Sequence, residues 1–409
     1  MEDSNTNSTM DNNANTPSSN DNKTGLSAED IANNAFKKDT EPPRLDAIGA
    51  KPKSPKKKFS LKNLTKKQKI IIAVIAAVVL IGGGFAVWWF VFRDKGAQPS
   101  VVEVVEEAPA PTTVPSKLTG LQVPPEYNQR TVTAVMIENS PDARPQSGLK
   151  DAGVVYEAIA EGGITRFMAV YQDTEPDYVG PVRSARPYYL RWALPYEAGY
   201  AHVGGSPTAL AEIKSLGIRD IDQFSNPGAF ERISSRYAPH NVYTGIPKLR
   251  AVEAEKGWTT SNFTGFERKE EATVDPATIN ARVVNLAISS ALYNVTYTYD
   301  PATNSYLRAQ GGAAHMDERA NAQISPKVVV ALAMEKGIAS DGQHSTYGTI
   351  GSGEMFVFQD GTVQKGTWKK DSDSAQFQFL DSSGNPLKLN PGQTWISMVG
   401  APDLVTWQP

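Results

Sequence analysis

The sequence predicts a membrane-anchored protein whose outer region has a first domain of mixed α+β or α/β type and a mainly antiparallel β second domain. Three observations lead to this prediction. Residues 70–92 form an uncharged apolar run, residues 118–270 alternate strand, turn and helix patterns, and residues 271–409 contain short β-type runs separated by turns. The second pattern is typical of a mixed sheet with helices, and the third of a sandwich or a partly open barrel.

Residues 1–69 are predicted to be a disordered cytoplasmic tail that ends in a basic run. The first fifty are crowded with Asn, Ser, Thr and Asp, and such a segment cannot bury enough surface to offset its chain entropy. Residues 51–69 carry nine lysines and no acid, whereas the whole chain has a net charge of −3. Because residues 1–50 carry a net −5 and residues 93–95 a net +1, residues 96–409 carry a net −8, and this acidic charge argues against a nucleic-acid partner.

The apolar run 70–92 is predicted to be a single transmembrane helix. Twenty-three uncharged residues span roughly 34 Å as a helix, which is enough to cross the hydrocarbon core. Because the lysines lie on one side only, the positive-inside rule places the N-terminus inside and residues 93–409 outside the cytoplasmic membrane. The alternative, a cleaved signal peptide, fits poorly because the preceding segment is too long.

Cysteine is absent from the chain. This excludes disulfides, thiolate nucleophiles, cysteine–zinc sites and a lipid-modified cysteine anchor. No cofactor and no metal site is predicted. Residues 93–117, rich in Pro, Ala, Val and Glu, are predicted to be an extended spacer between the membrane and the folded region.

The elements of the first domain, residues 118–270, follow from local signals. Glu161-Gly162-Gly163 separates two β-type runs and predicts a hairpin. The predicted elements are a strand at 131–138, hairpin strands at 154–160 and 164–172, a short helix at 186–194, a buried strand at 197–203, a helix from Ser206 to Gly217 and a helix between Thr244 and Gly257. The Ser206–Gly217 helix has the clearest signals, with a serine N-cap, proline at the first helical position and a glycine stop.

Arginine and aromatic residues cluster between residues 183 and 192. Arg183 and Arg186 flank a turn, and Tyr188 follows closely. Guanidinium groups suit carboxylate or phosphate, and aromatic faces suit sugar rings. The structural alternative is a corner in which the arginines pair with nearby acids and the aromatic rings fill the core.

A second candidate binding element is the turn after the buried strand, formed by Gly204, Gly205 and Ser206. Glycines let backbone amides approach a ligand, and a helix N-terminus favours an anion. We expect this turn to face Arg183 and Arg186 across one site. The alternative is an ordinary strand-to-helix turn in which Ser206 serves only as the helix cap.

Four residues are weak candidates for catalysis, namely Glu157, Glu161, His202 and His240. His240 follows a proline in a loop next to Asn241, and we include both in the predicted binding site. Glu157 and Glu161 lie four apart on one strand and are expected on the same face. Scattered histidines and carboxylates are more often surface or core groups. Residues 315–318, which include His315 and Asp317, are interpreted as a loop.

Several long motifs make the chain similar to a known family. They read ENSPDARPQSGLKDAGVVYEAIAEGGITRFMAVYQ at 138–172, GPVRSARPYYLRWALPYEAGYAHVGGSP at 180–207, YAPHNVYT at 237–244 and NPGQTWISMV at 390–399. In these motifs the sequence resembles the YerB-like family, two-domain proteins of unknown function that are described as bacterial lipoproteins. The resemblance implies an envelope protein on the outer face of the cytoplasmic membrane. It supplies no reaction, and without a cysteine the anchor must be the helix.

These observations leave three hypotheses for function. The chain is expected to bind cell-wall glycan or peptide, or an envelope protein, through the arginine, aromatic and glycine residues of the first domain. The alternatives are a hydrolase or transferase acting on wall polymers, and a scaffold without a small ligand. The sequence does not decide whether the chain is an enzyme, because no carboxylate or histidine can be placed against a reactive bond.

Overall fold

The computed structural model describes residues 65–92, 112–271 and 273–409. The chain divides into two compact units, Met1–Val105 and Glu106–Pro409. The predicted disordered tail, most of the basic run and the predicted spacer up to residue 111 lie outside the described residues. These three predictions therefore remain expectations.

In the first unit, the described residues form one helix, α1 (Lys66–Phe92), of 27 residues. It covers the predicted transmembrane run and begins four residues earlier, among the lysines. Its side chains are exposed along its whole length, and it is long and apolar enough to cross a membrane. None of the described residues covers the apolar surface of α1, and a membrane-spanning helix shows the same exposure when no lipid is present.

The second unit contains 23 strands and three α-helices among its described residues. The helices are α2 (Pro187–Ala193), α3 (Pro207–Ser215) and α4 (Ile246–Glu255). The strands are β1 (Val114–Pro115), β2 (Gln122–Val123), β3 (Thr133–Glu138), β4 (Val154–Glu161), β5 (Ile164–Tyr171), β6 (Gly199–His202), β7 (Arg219–Asp222), β8 (Phe230–Arg232), β9 (Val242–Thr244), β10 (Val283–Leu286), β11 (Val295–Asp300), β12 (Ser305–Gln310), β13 (Ala313–Ala314), β14 (Met316–Asp317), β15 (Ala322–Gln323), β16 (Val328–Ala333), β17 (Lys336–Ile338), β18 (Ser345–Tyr347), β19 (Gly351–Gln359), β20 (Thr362–Lys370), β21 (Gln378–Asp381), β22 (Thr394–Val399) and β23 (Val405–Gln408).

The local signals identify the right elements. β4 and β5 form the predicted antiparallel hairpin, and its two turn glycines, Gly162 and Gly163, both have positive φ. In α3, Pro207 occupies the first turn and the Ser206 side chain accepts a hydrogen bond of 3.2 Å from the amide of Ala209. These local structures form as expected because their signals depend only on neighbours in the sequence.

The largest sheet has ten strands in the order β21-β20-β19-β16-β22-β4-β5-β3-β6-β7. It is mixed: β22 runs parallel to β16 and β4, and β6 runs parallel to β3 and β7, whereas the other pairs are antiparallel. Five strands come from each half of the region. The predicted boundary near residue 270 separates the two sets in sequence, yet β22 and β4 join them into one sheet.

A second, five-stranded sheet is antiparallel throughout, in the order β13-β12-β11-β10-β23. Together with the small number of helices in the first half, it confirms the predicted fold class of a mixed sheet followed by a mainly antiparallel region.

The ten-stranded sheet buries both of its faces. Val155 and Phe167 share an apolar cluster with the five-stranded sheet and α4, whereas the adjacent Tyr156 and Met168 belong to a second cluster with α2 and α3. Because successive side chains of a strand point to opposite faces, each of these strands contributes to both cores. The sheet is therefore a central layer between two apolar clusters, and the loops lie at the ends of its strands.

Candidate functional site

Three parallel strands end at one edge of the ten-stranded sheet. β3 ends at Glu138, β6 at His202 and β7 at Asp222, and the register pairs β3 with β6 and β6 with β7 in parallel. Their carboxyl ends therefore lie side by side. In open α/β sheets, loops at such an edge commonly form the ligand site.

The segment that carries Arg183 crosses this edge next to the glycine turn. The amide of Arg183 donates to the carbonyl of Met136, and its carbonyl accepts from the amide of Val203 at 3.1 Å. The amide of Ala185 then donates to the carbonyl of Gly204 at 2.9 Å. The two segments that the sequence analysis expected to face each other are thus adjacent through their backbones.

A partly open polar cluster surrounds the buried carboxylate of Glu138. Its Oε1 lies 3.3 Å from Nε of Arg183, and its Oε2 lies 3.0 Å from Nδ1 of His240. The hydroxyl of Ser140 donates to Oε1 at 3.0 Å. The side chains of Arg183 and His240 remain 25% and 21% exposed, so both can reach a ligand. Nε2 of His240 faces Asp142 at 4.0 Å.

This cluster lacks the arrangement of a hydrolytic triad. Ser140 Oγ lies 3.3 Å from Nδ1 of His240, and the Glu138 carboxylate contacts that same nitrogen. In a triad the nucleophile and the orienting acid lie at opposite ring nitrogens. Moreover, the Ser140 hydroxyl donates its proton to a carboxylate and is not activated by a base. The geometry suits the binding of a polar group better than nucleophilic attack.

Arg186 has an internal partner, as the structural alternative required. Its Nη2 lies 2.6 Å from Oε2 of Glu161, and Nη2 of Arg166 lies 2.6 Å from Oε1 of the same carboxylate. Burial raises the pKa of Glu161, but the two arginines outweigh it and hold this pKa below its usual value. Tyr188 is buried, and its hydroxyl donates to the carbonyl of Ile159 at 2.8 Å. Glu161, Arg186 and Tyr188 are therefore engaged inside the fold.

The glycine turn is also held by internal contacts. The amide of Gly204 donates to Oδ1 of Asp222 at 2.9 Å, and the amide of Ser206 donates to the carbonyl of Ala185 at 3.4 Å. His202 is fully buried, with its ring nitrogens 2.8 Å from Asp220 and from the Gly204 carbonyl. An anion bound by the amides of Gly204 and Ser206 would have to displace the Asp222 carboxylate and the Ala185 carbonyl, so the anion site expected at this turn remains a prediction.

Two exposed aromatic side chains lie on the loops at this edge of the sheet, and the sequence analysis missed both. Phe224 is 68% exposed, and its ring lies against Gly204, 3.5 Å from where a β-carbon would stand. Tyr237 is 91% exposed, and its carbonyl accepts the amide of His240 at 2.9 Å. The sequence did contain a signal for them. Both aromatic residues lie in polar, turn-rich segments, which are expected at the surface and need no aromatic ring to fill a core. Asn241 supports the same loop by donating to the carbonyl of Ile233 at 3.2 Å.

The remaining catalytic candidate, Glu157, lies in a buried polar network elsewhere. Arg308 Nη2 donates to both of its carboxylate oxygens at 3.0 and 2.9 Å, and neither side chain is exposed. Trp395 Nε1 and Ser397 Oγ donate to Oε2. Glu157 thus does not share a site with Glu161, His202 or His240. Within the described ranges, no three acidic or histidine side chains are grouped so that they could hold a metal.

The interpretation of residues 315–318 as loop residues is wrong for Asp317, which ends β14. His315 does lie between β13 and β14, outside both strands, but it is buried, with Nδ1 accepting from Arg308 and Nε2 2.8 Å from Gln146. Burial, reinforced by the charge of Arg308, lowers the pKa of His315 well below its usual value. The partner Gln146 lies 169 positions earlier, a distance at which the sequence carries no local signal.

The mixed ten-stranded sheet and the antiparallel five-stranded sheet packed on it define an α+β fold, and the chain also has one candidate membrane helix. Residues 118–259 match the family described as "Protein of unknown function (DUF3048) N-terminal domain", and residues 284–396 match its C-terminal domain. The chain belongs to this family.

Comparison with a curated relative and with a solved structure agrees with this assignment. The chain is 31% identical to "Putative lipoprotein YerB" of Bacillus subtilis (strain 168) over 290 residues, which cover 70% of this chain and 86% of that protein. The crystal structure of the YerB protein from Bacillus subtilis superimposes with a TM-score of 0.65 and 28% identity, covering 72% of this chain and all of the other. The resemblance inferred from the motifs is confirmed.

Proposed function

We propose that this chain is a bacterial envelope protein, held in the cytoplasmic membrane by α1, that binds cell-wall glycan or peptide at the edge formed by Glu138, Arg183 and His240. The observation that carries the proposal is this partly open polar cluster at an edge whose loops also carry two exposed aromatic side chains, Phe224 and Tyr237. Aromatic faces pack against sugar rings, while a guanidinium, an imidazole and a carboxylate offer directional hydrogen bonds to hydroxyl or amide groups.

The location in the envelope rests on separate support. The apolar helix, the one-sided lysine run and the likeness to a protein named as a lipoprotein all agree with an anchored protein whose folded unit lies outside. A wall polymer is then within reach of the folded unit. An envelope protein partner is the alternative occupant of the same edge.

A binding role accounts for the edge better than a hydrolase or transferase does. A reaction would need a base or nucleophile free to approach the reacting bond. Glu138 instead accepts from Ser140 and contacts two further side chains, and Glu157 is sealed in the core by Arg308. A scaffold without a ligand would not require two aromatic side chains as exposed as Phe224 and Tyr237.

The test is to measure the binding of soluble wall fragments to the full chain in detergent by calorimetry. Phe224→Ala and Tyr237→Ala should each weaken binding roughly two- to tenfold, because an aromatic contact contributes about 0.5–1.5 kcal/mol. Ile350→Ala is the matched control, since Ile350 is also an exposed apolar side chain, at 52%. Unchanged affinity in both aromatic variants, or an equal loss in the control, would reject the edge as the site.

A further inference from the structure

A cleft opens beside the loop that follows β3. It has a volume of about 280 Å³ and is lined by Arg144, Pro145, Gln310, Ala313, Ala314, His315 and Met316. The walls contributed by Pro145, the two alanines and Met316 are apolar. The polar lining comes from three side chains, and their hydrogen bonds decide what the cleft can hold.

Gln310 presents an unused donor at this cleft. The side chain is only 5% exposed, and its Nε2 has no hydrogen-bond partner among the described residues. Its Oε1 already accepts from Nη1 of Arg308 at 3.2 Å, which fixes the orientation of the amide. A buried amide N–H without an acceptor is unfavourable, so an acceptor atom supplied by a ligand would be favoured here.

Arg144 supplies a positive charge that the fold does not neutralise. Three of its five N–H groups donate, to Oδ1 and the carbonyl of Asn139 and to the carbonyl of Leu292. Two N–H groups remain, and no carboxylate in residues 65–92, 112–271 or 273–409 forms an ion pair with this guanidinium. By contrast, Glu157 neutralises the nearby Arg308.

The polar side chains of the cleft are mainly donors. Both ring nitrogens of His315 are occupied, one by Arg308 and the other by Gln146. A sugar hydroxyl, which donates as well as accepts, would find a side-chain acceptor only in Gln310 Oε1, which already accepts from Arg308. A phosphate dianion would meet a single unpaired guanidinium and apolar walls. A carboxylate with a small apolar group beside it matches both the donors and the walls.

We propose that this cleft binds the terminal carboxylate of a peptide whose last residue is small and apolar, such as alanine. The carboxylate oxygens accept from Gln310 Nε2 and from the free N–H groups of Arg144. The methyl group packs against Pro145 and Ala314. The cleft shares no lining residue with the cluster around Glu138, although Arg144 bonds to the neighbouring Asn139, and the proposal does not depend on that edge binding wall material.

The test uses the full chain in detergent with alanyl-alanine as the probe, and with alanyl-alanine amide as its neutral counterpart. The dipeptide should bind at least about tenfold more tightly than the amide, because a charge-assisted hydrogen bond is lost with the carboxylate. Equal affinity of the two probes, or no binding of the dipeptide, would overturn the proposal.

Two variants locate the site. Gln310→Glu keeps the acceptor for Arg308 but replaces the free donor with a carboxylate, and it should abolish dipeptide binding. Ala314→Trp fills the cleft from an exposed position on β13, so it should abolish binding even if the first variant is poorly folded. Ala211→Trp, at an exposed alanine of α3, is the matched control and should bind as the wild type does.

Dipeptide affinity that survives Ala314→Trp would show that the peptide binds elsewhere. Phe224→Ala should leave dipeptide affinity unchanged, which separates this proposal from the binding of wall fragments at the edge.

Discussion

Replacing Glu253 by Gln should make the folded region more stable at neutral and alkaline pH. Glu253 lies on α4, is 1% exposed, and faces β6 so closely that a β-carbon on Gly199 would stand 2.2 Å from its Oε1. Thr133 donates to Oε1 at 2.8 Å, whereas Oε2 is buried without a partner among the described residues. The ionised form of this side chain is therefore poorly solvated.

The size of the effect follows from the pKa. Burial raises the pKa of Glu253 from 4.5 to about 7, although the hydrogen bond from Thr133 and the charges of Arg250 and Arg219 act in the opposite direction. Below pH 4.5 the carboxyl is protonated in both the folded and the unfolded state. As the pH rises from 4.5 to 7 only the unfolded state loses the proton, so the free energy of unfolding falls by about 3 kcal/mol in all.

Glutamine resembles the protonated carboxyl and keeps an acceptor for Thr133. We therefore expect Glu253→Gln to be about 3 kcal/mol more stable than the wild type at pH 8, with the difference disappearing near pH 4. The measurement is urea unfolding of residues 112–409 at several pH values. Glu255→Gln, at an exposed position of the same helix, is the control and should show no such pH dependence. A variant that is less stable at pH 8, or a difference independent of pH, would refute the reasoning.

Two further predictions concern the membrane and the core. A reporter fused after Pro409 should be active only outside the cytoplasm, because the lysine run precedes the apolar helix; activity of a cytoplasmic reporter would reverse the orientation. Arg308→Met should destabilise residues 112–409 by about 3–5 kcal/mol in chemical unfolding, because it leaves the buried Glu157 unpaired. Lys248→Met breaks an exposed pair and should cost less than about 1 kcal/mol. A similar loss of stability in Arg308→Met and Lys248→Met would contradict the reasoning that the buried ion pair matters more than the exposed one.

Features that depend on neighbouring residues were predictable from the sequence. The apolar run yields α1 because helices satisfy their own backbone hydrogen bonds. The hairpin of β4 and β5 follows from two glycines that accept positive φ. The start of α3 follows from Ser206 and Pro207, which act within one turn. Family membership was also readable, because long motifs survive as continuous strings.

The candidate site was predictable only in part. Arg183 and His240 were both among the predicted site residues, and the fold brings both to one carboxylate, Glu138, which the sequence analysis did not name. Exposure decided the importance of Phe224 and Tyr237, and exposure depends on what the rest of the chain covers.

Tertiary structure alone decided which partner each charged residue has. The sequence shows that Arg186, Glu161 and Glu157 exist, and it permits either a ligand site or internal ion pairs. The fold brings Arg308 to Glu157 from 151 positions away, and it inserts β22 beside β4 so that two halves share one sheet. Such pairings depend on strand order and register over the whole chain. Composition and local periodicity specify neither the strand order nor the register. The alternation of apolar and polar residues repeats every few residues, so one strand could pair equally well with many others.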